Sequence, residues 1–130
     1  MKRLCWFFRL GIIAVTVLVL YSLAPVIFND WQGLEACPKL GPVPACYVVG
    51  LSYGAMAVAA LWAPRRLTAL FLLGWAPVFA IAVTGSTMEI LGHPTCPLSP
   101  AGTPMCYYSL AVASILLPAF WVVRRLLRTV

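Results

Sequence analysis

Charge is what this sequence has least of. Its 130 residues include three acids (Asp30, Glu35 and Glu89), one histidine (His93) and 9% charged side chains in all. Soluble chains carry roughly 25%, so a single domain solvated by water is excluded. The scattered acids and the lone His supply no nucleophile–base pair and no recognisable metal-ligand spacing. A phosphate-cradling glycine loop and a Cys-x-x-Cys pair are also missing. An autonomous transporter would place polar groups at the midplane of its helices. The candidates for that role are Thr16, Ser22, Ser52, Tyr53, Ser109 and Ser114, hydroxyls that more often pack helices together.

What the sequence has in abundance is apolar surface: 63% of residues are hydrophobic. In lipid, ~20 consecutive apolar residues cross the hydrocarbon core as a helix. Four such runs are legible, at about residues 10–28, 46–63, 67–88 and 106–123. Ser22-Leu23-Ala24 offers a signal-peptide cleavage pattern as a competing reading of the first run. Pro25 directly after it opposes cleavage, so a retained span, bent near Pro25, is expected. Pro77 interrupts the third run.

The net charge of +6 would suggest nucleic acid in a soluble protein. Its placement points elsewhere, and no nucleic-acid partner is expected. Lys2, Arg3, Arg9, Arg65, Arg66, Arg124, Arg125 and Arg128 lie at the chain ends or beside Pro64, and Lys39 alone lies apart. Four spans put these eight on one side, which the positive-inside rule makes the cytoplasm. Both termini are then cytoplasmic and both long loops extracytoplasmic, in a plasma or inner membrane. Tyr47, Tyr107 and Tyr108 mark the outer interface, while Trp6, Trp62 and Trp121 mark the inner one.

The loops resemble each other. Cys37-Pro38 leads to Pro44-Ala45-Cys46-Tyr47, and Cys96-Pro97 leads to Pro104-Met105-Cys106-Tyr107. Downstream, Trp62-Ala63-Pro64-Arg65-Arg66-Leu67 matches Trp121-Val122-Val123-Arg124-Arg125-Leu126. Two copies of a two-helix hairpin are implied, repeat 1 at about 9–64 and repeat 2 at about 66–125, parallel to one another. The expected fold is an all-α, four-helix membrane bundle forming one domain over residues 1–130. Gly50-x-x-x-Gly54 and Ser109-x-x-x-Ala113 fall at nearly matching places in the second and fourth spans. Small residues at this spacing let backbones approach closely, so those helices should meet centrally or offer these faces to a partner.

Outside the cytoplasm disulfides form and persist. Four cysteines allow three pairings, and short closure with the duplicated pattern favours Cys37–Cys46 with Cys96–Cys106. Each bridge would close ten or eleven residues, worth roughly 2.5–3 kcal/mol on chain-entropy arithmetic. The loops then read as two stapled, rigid caps. In having four spans, both termini inside and one cysteine pair per outer loop, the chain resembles the bacterial disulfide-generating quinone reductases. That resemblance implies quinone-linked thiol–disulfide exchange, although the pairs here are Cys-x8-Cys and Cys-x9-Cys where that family uses Cys-x-x-Cys. Met88, His93 and Met105, near Cys96 and Cys106, are soft candidates for Cu(I) under a copper-handling or small-transport reading. Glu89 and Glu35 are the candidate functional acids. Cys5, at the cytoplasmic end, is either palmitoylated or free.

With so little chemistry on offer, the expected function is contact. The chain reads as an accessory, assembly or structural subunit of a larger membrane complex, partnered by lipid and by other membrane subunits or further copies of itself. Quinone or copper enters only under the alternatives.

Overall fold

The computed structural model describes residues 1–33, 37, 39–62, 65–96, 98 and 101–129. Its elements are α1 (Lys2–Trp31), β1 (Lys39–Leu40), β2 (Val43–Pro44), α2 (Ala45–Trp62), α3 (Thr68–Ile90) and α4 (Met105–Thr129). All four helices are long and apolar enough to span a membrane. At 1.5 Å per residue they run from about 27 Å for α2 to about 45 Å for α1, against a hydrocarbon core of ~30 Å. A helix satisfies its own backbone polar groups, which lipid cannot do. Large apolar side chains also face outward: Tyr21 and Leu51 are each 78% exposed. A surface of that kind suits lipid rather than water. This is the build of a multi-pass membrane protein.

The helices stand up-down-up-down in a ring, with α1 beside α2 and α4, and α3 beside α2 and α4. Short connections make sequential helices antiparallel neighbours, which leaves α2 and α4 on a diagonal. The expected central meeting of these two helices through their small residues is therefore not made. A Cβ built on Gly54 would meet nothing within 4 Å, and one on Gly50 would touch Ile27 and Leu23 of α1. What joins the diagonal is a pair of side chains, Tyr53 Oη and Ser109 Oγ, 3.1 Å apart. The tight backbone approach lies instead between α2 and α3, where a Cβ on Gly74 would sit 2.6 Å from the Ser52 carbonyl oxygen.

Helix α3 continues through Pro77 rather than breaking there, as α1 does through Pro25 and α4 through Pro118. A proline removes one N–H bond, a loss that neighbouring helices and local adjustment absorb in a bundle. Helices α1 and α4 also outrun their apolar stretches, because Arg and Leu sustain a helix whatever their hydropathy. Lys2, Arg3, Arg9, Arg124, Arg125 and Arg128 are thus helical.

The end of the bundle that carries these cations is tightly tied. Phe71 of α3 stacks on Phe120 of α4 with ring centroids 3.9 Å apart. Trp75 Nε1 donates to the Ala113 carbonyl at 2.8 Å. Arg9 donates through Nε to the Ala60 carbonyl at 3.0 Å and through Nη2 to the Leu61 carbonyl. A cation there satisfies terminal carbonyls of α2 and opposes the negative end of its dipole. Cys5 is a free thiol, 5% exposed and packed into the hydrophobic core.

These contacts rank the glycines. Gly74→Ala should destabilise the bundle by about 1–3 kcal/mol through overpacking, whereas Gly54→Ala should leave its thermal melting in detergent unchanged. Equal melting temperatures for the two variants would contradict this packing.

Candidate functional site

Opposite the cationic end, two short cysteine-closed loops cover the bundle. In the first, Lys39 pairs with Pro44 and Leu40 with Val43 around Gly41-Pro42. Gly41 has φ +66° and the ring of Pro42 holds φ near −65°. These are the signs of a type II′ hairpin turn, which takes Gly first. Cys37 and Cys46 stand at disulfide distance, with Cα atoms 6.1 Å apart. In the second loop Leu98 bridges to Pro104, Gly102 has φ +81°, and the Cα atoms of Cys96 and Cys106 are 6.0 Å apart. The bridging residues are in both cases the second after the first cysteine and the second before the last.

Each loop is tethered by an acid seven residues before its first cysteine. Asp30 Oδ1 accepts the Cys37 N–H at 3.1 Å. Glu89 Oε1 accepts the Thr95 and Cys96 N–H groups at 3.1 and 3.0 Å. The helix below each acid ends alike. Gly33, at φ +74°, donates to the Asp30 carbonyl, and Gly92, at φ +88°, donates to the Glu89 carbonyl. His93 N–H then reaches the Met88 carbonyl at 2.9 Å, completing a Schellman motif. The whole pattern is acid-x-x-Gly-x-x-x-Cys-Pro, spelled by residues 30–38 and again by 89–97. Reading backward from the cysteines would have found it. Reading forward from them, to the prolines and tyrosines, misses it.

Glu89, a candidate acid from sequence, therefore sits where it organises backbone. Glu35 lies outside the described residues. Met88 is exposed on α3, His93 is exposed at the helix end, and Met105 opens α4. Among the described residues no group of three or more His, Cys, Asp or Glu is placed to hold a metal, and the loop cysteines face one another as pairs. Gly50 and Gly54, with Tyr47, Leu51, Ala55 and Val58, line a shallow groove that α2 forms with Leu20 and Ile27 of α1. Ser109 holds Tyr53, and Ala113 is fully buried.

Sequence reasoning also missed a cavity of about 670 Å³ beneath the caps, to which all four helices contribute. Cys46 and Cys106, one from each pair, lie in its wall, and Tyr53 and Ser109 bring it hydroxyls. On α3, Gly85 lets the helix pass the second pair: a Cβ there would meet Cys106 Sγ at 2.6 Å and Cys96 Sγ at 2.9 Å. Nearby, Ser86 Oγ is buried with no hydrogen-bond partner among the described residues. No periodicity announces such a space, because it arises where side chains from four segments stop short of one another. Compared with known proteins, the chain matches no family model, no curated protein and no solved structure.

Glu89→Ala should cost about 1–2 kcal/mol and speed amide exchange at Thr95 and Cys96, and Asp30→Ala should speed exchange at Cys37. Unchanged exchange at both amides in Glu89→Ala would remove the tether from the account.

Proposed function

We propose that this chain is a small multi-pass membrane protein serving as an accessory or assembly subunit of a larger membrane complex. The observation that carries this reading is the Gly50-x-x-x-Gly54 face. The bundle uses only part of it: Gly50 lies against Leu23 and Ile27 of α1, but the space around Gly54 is open, and the groove along α2 is shallow and apolar. A small-residue face left free suits close approach by another transmembrane helix. Beside it the two tethered caps form a rigid platform that loses little entropy on binding.

Orientation follows the charges. Eight cations gather at one end of the bundle, and Lys39 lies with the cysteine loops. We place the cationic end in the cytoplasm and the cysteine caps outside it, in the plasma or inner membrane. The shared acid-x-x-Gly-x-x-x-Cys-Pro pattern, the matching bridges and the matching helix ends support descent from a duplicated two-helix unit.

A second reading, quinone-linked thiol–disulfide exchange, is favoured by one observation: Cys46 and Cys106 line the same apolar cavity. It needs a pair that opens and closes, whereas docking needs both shut.

Gly54→Ile projects into the groove from a position where an added Cβ meets no other atom within 4 Å. We expect this variant to melt as the parent does yet lose subunits that purify with the parent in mild detergent. Retention of those subunits would sink the docking reading. Free-thiol titration after mild reduction would favour exchange if one pair opened readily and closed again with added quinone. Orientation is checked by a membrane-impermeant amine reagent applied to intact cells. Of the two lysines, Lys39 should react and Lys2 should not; the reverse would invert the topology.

A further inference from the structure

We infer that the cationic end of the bundle is a binding surface for anionic phospholipid headgroups, built from three copies of one tryptophan–dibasic unit. The inference rests neither on the docking reading nor on which leaflet this end faces.

The unit is a tryptophan with cations three and four residues nearer the end of the bundle. Trp62 is followed by Arg65 and Arg66, and Trp121 by Arg124 and Arg125. Helix α1 runs the opposite way and spells the unit in reverse, as Lys2-Arg3-Leu4-Cys5-Trp6. Topology accounts for cations at this end but not for their constant distance from an aromatic ring. In α1 and α4, positions three and four apart share a helix face, so the cations lie directly above the ring. Arg124 holds its guanidinium 5.0 Å from the centre of the Trp121 ring. The rings face outward: Trp6, Trp62 and Trp121 are 64%, 76% and 41% exposed.

The units stand at one level. Arg9, three residues inside Trp6, donates to the Ala60 and Leu61 carbonyls just inside Trp62. Phe120, beside Trp121, stacks on Phe71, three residues inside the start of α3. The rings therefore form a belt where amphipathic rings settle, between hydrocarbon and headgroups. In α1 and α4 the cations lie about 4.5–6 Å beyond that belt, on the lipid-facing flank. Lipid phosphates occupy that layer. A soluble acidic partner would meet the end of the bundle and not its flank.

The surface also lacks anions of its own. All three acidic side chains, Asp30, Glu35 and Glu89, belong to the far end of the chain's path. Lys2 and Arg3 stand in the first turn of α1, where the helix dipole is positive and disfavours cations. Met1, at the N-cap, supplies no side-chain hydrogen bond. An anion from outside answers both needs, since it opposes the cations and accepts from the first N–H groups. Helices α1 and α4 are neighbours, so two of the three units flank one seam.

The test reconstitutes the purified chain in phosphatidylcholine bilayers carrying a trace of spin-labelled phosphatidylglycerol or spin-labelled phosphatidylcholine. Electron spin resonance then measures how much of each label the protein immobilises. Phosphatidylglycerol should be preferred about three- to tenfold, and most of that preference should vanish in ~1 M salt, where the Debye length is ~3 Å. Replacing Lys2, Arg3, Arg124 and Arg125 together by Gln should remove most of it, with Arg65, Arg66 and Arg128 left to hold the orientation. The double variant Trp6→Leu, Trp121→Leu keeps every charge and should lower the preference about twofold or more. Thermal melting checks that each variant folds; the salt series needs no variant at all. Equal association of the two labels overturns the proposal, and polyglutamate bound in their place would make the surface a dock for an acidic protein. A preference indifferent to salt, or one that survives the four Gln substitutions, overturns it as well. So does a tryptophan variant that matches the parent, because charge alone would then suffice.

Discussion

Hydrocarbon cannot hydrogen-bond, and that constraint governs nearly everything in this molecule. A backbone N–H or carbonyl left unpaired in lipid costs several kcal/mol, so the chain crosses as helices and makes its turns at the two ends. Hydroxyls follow the same rule: Thr16, Ser22 and Ser114 each donate to a carbonyl three or four residues back. At the cationic end Arg9 takes the last carbonyls of α2. At the other end Asp30 and Glu89 take the amides of the turning chain. Polar termini are thus satisfied by ions of the right sign, anions on N–H groups and cations on carbonyls.

Where the chain leaves its helices, three devices act together on few residues. A left-handed glycine ends each outbound helix, a carboxylate reaches forward to the first cysteine's amide, and the cysteine pair closes the loop. The disulfide limits how far the loop can unfold, and the carboxylate sets where its first strand begins. Neither does the other's work. Rigid caps result without a hydrophobic core of their own, which so short a loop could never supply.

Beneath the caps the bundle is less completely filled. Large side chains concentrate toward the cationic half, where Phe71, Phe120 and Trp75 lock α3 to α4. Toward the caps, Ala45, Ala82 and Ala101 leave room, and Tyr53 reaches across the diagonal as a floor. The cavity and the tight end are two sides of one gradient in side-chain volume.

Four apolar runs of sufficient length, with few charges inside them, determined by themselves that the chain folds as spanning helices, since a long charge-free stretch in lipid has no other way to satisfy its backbone. The cysteine spacing likewise restricted the plausible pairings, because short loops close most readily on themselves. The acid seven residues before each first cysteine was equally open to reading, though only its carboxylate-to-amide geometry explains why it stands there. Tertiary structure alone decided which glycine is crowded and which is free. Gly50-x-x-x-Gly54 and Gly74 look alike as letters, yet the ring of neighbours sets α2 against Gly74's face and leaves Gly54 uncovered. It alone decided, too, that Cys46, Cys106, Tyr53 and Ser109 share one chamber. Local sequence encodes which way a side chain points along its own helix, and a chamber walled by four helices depends on how those helices are turned toward one another.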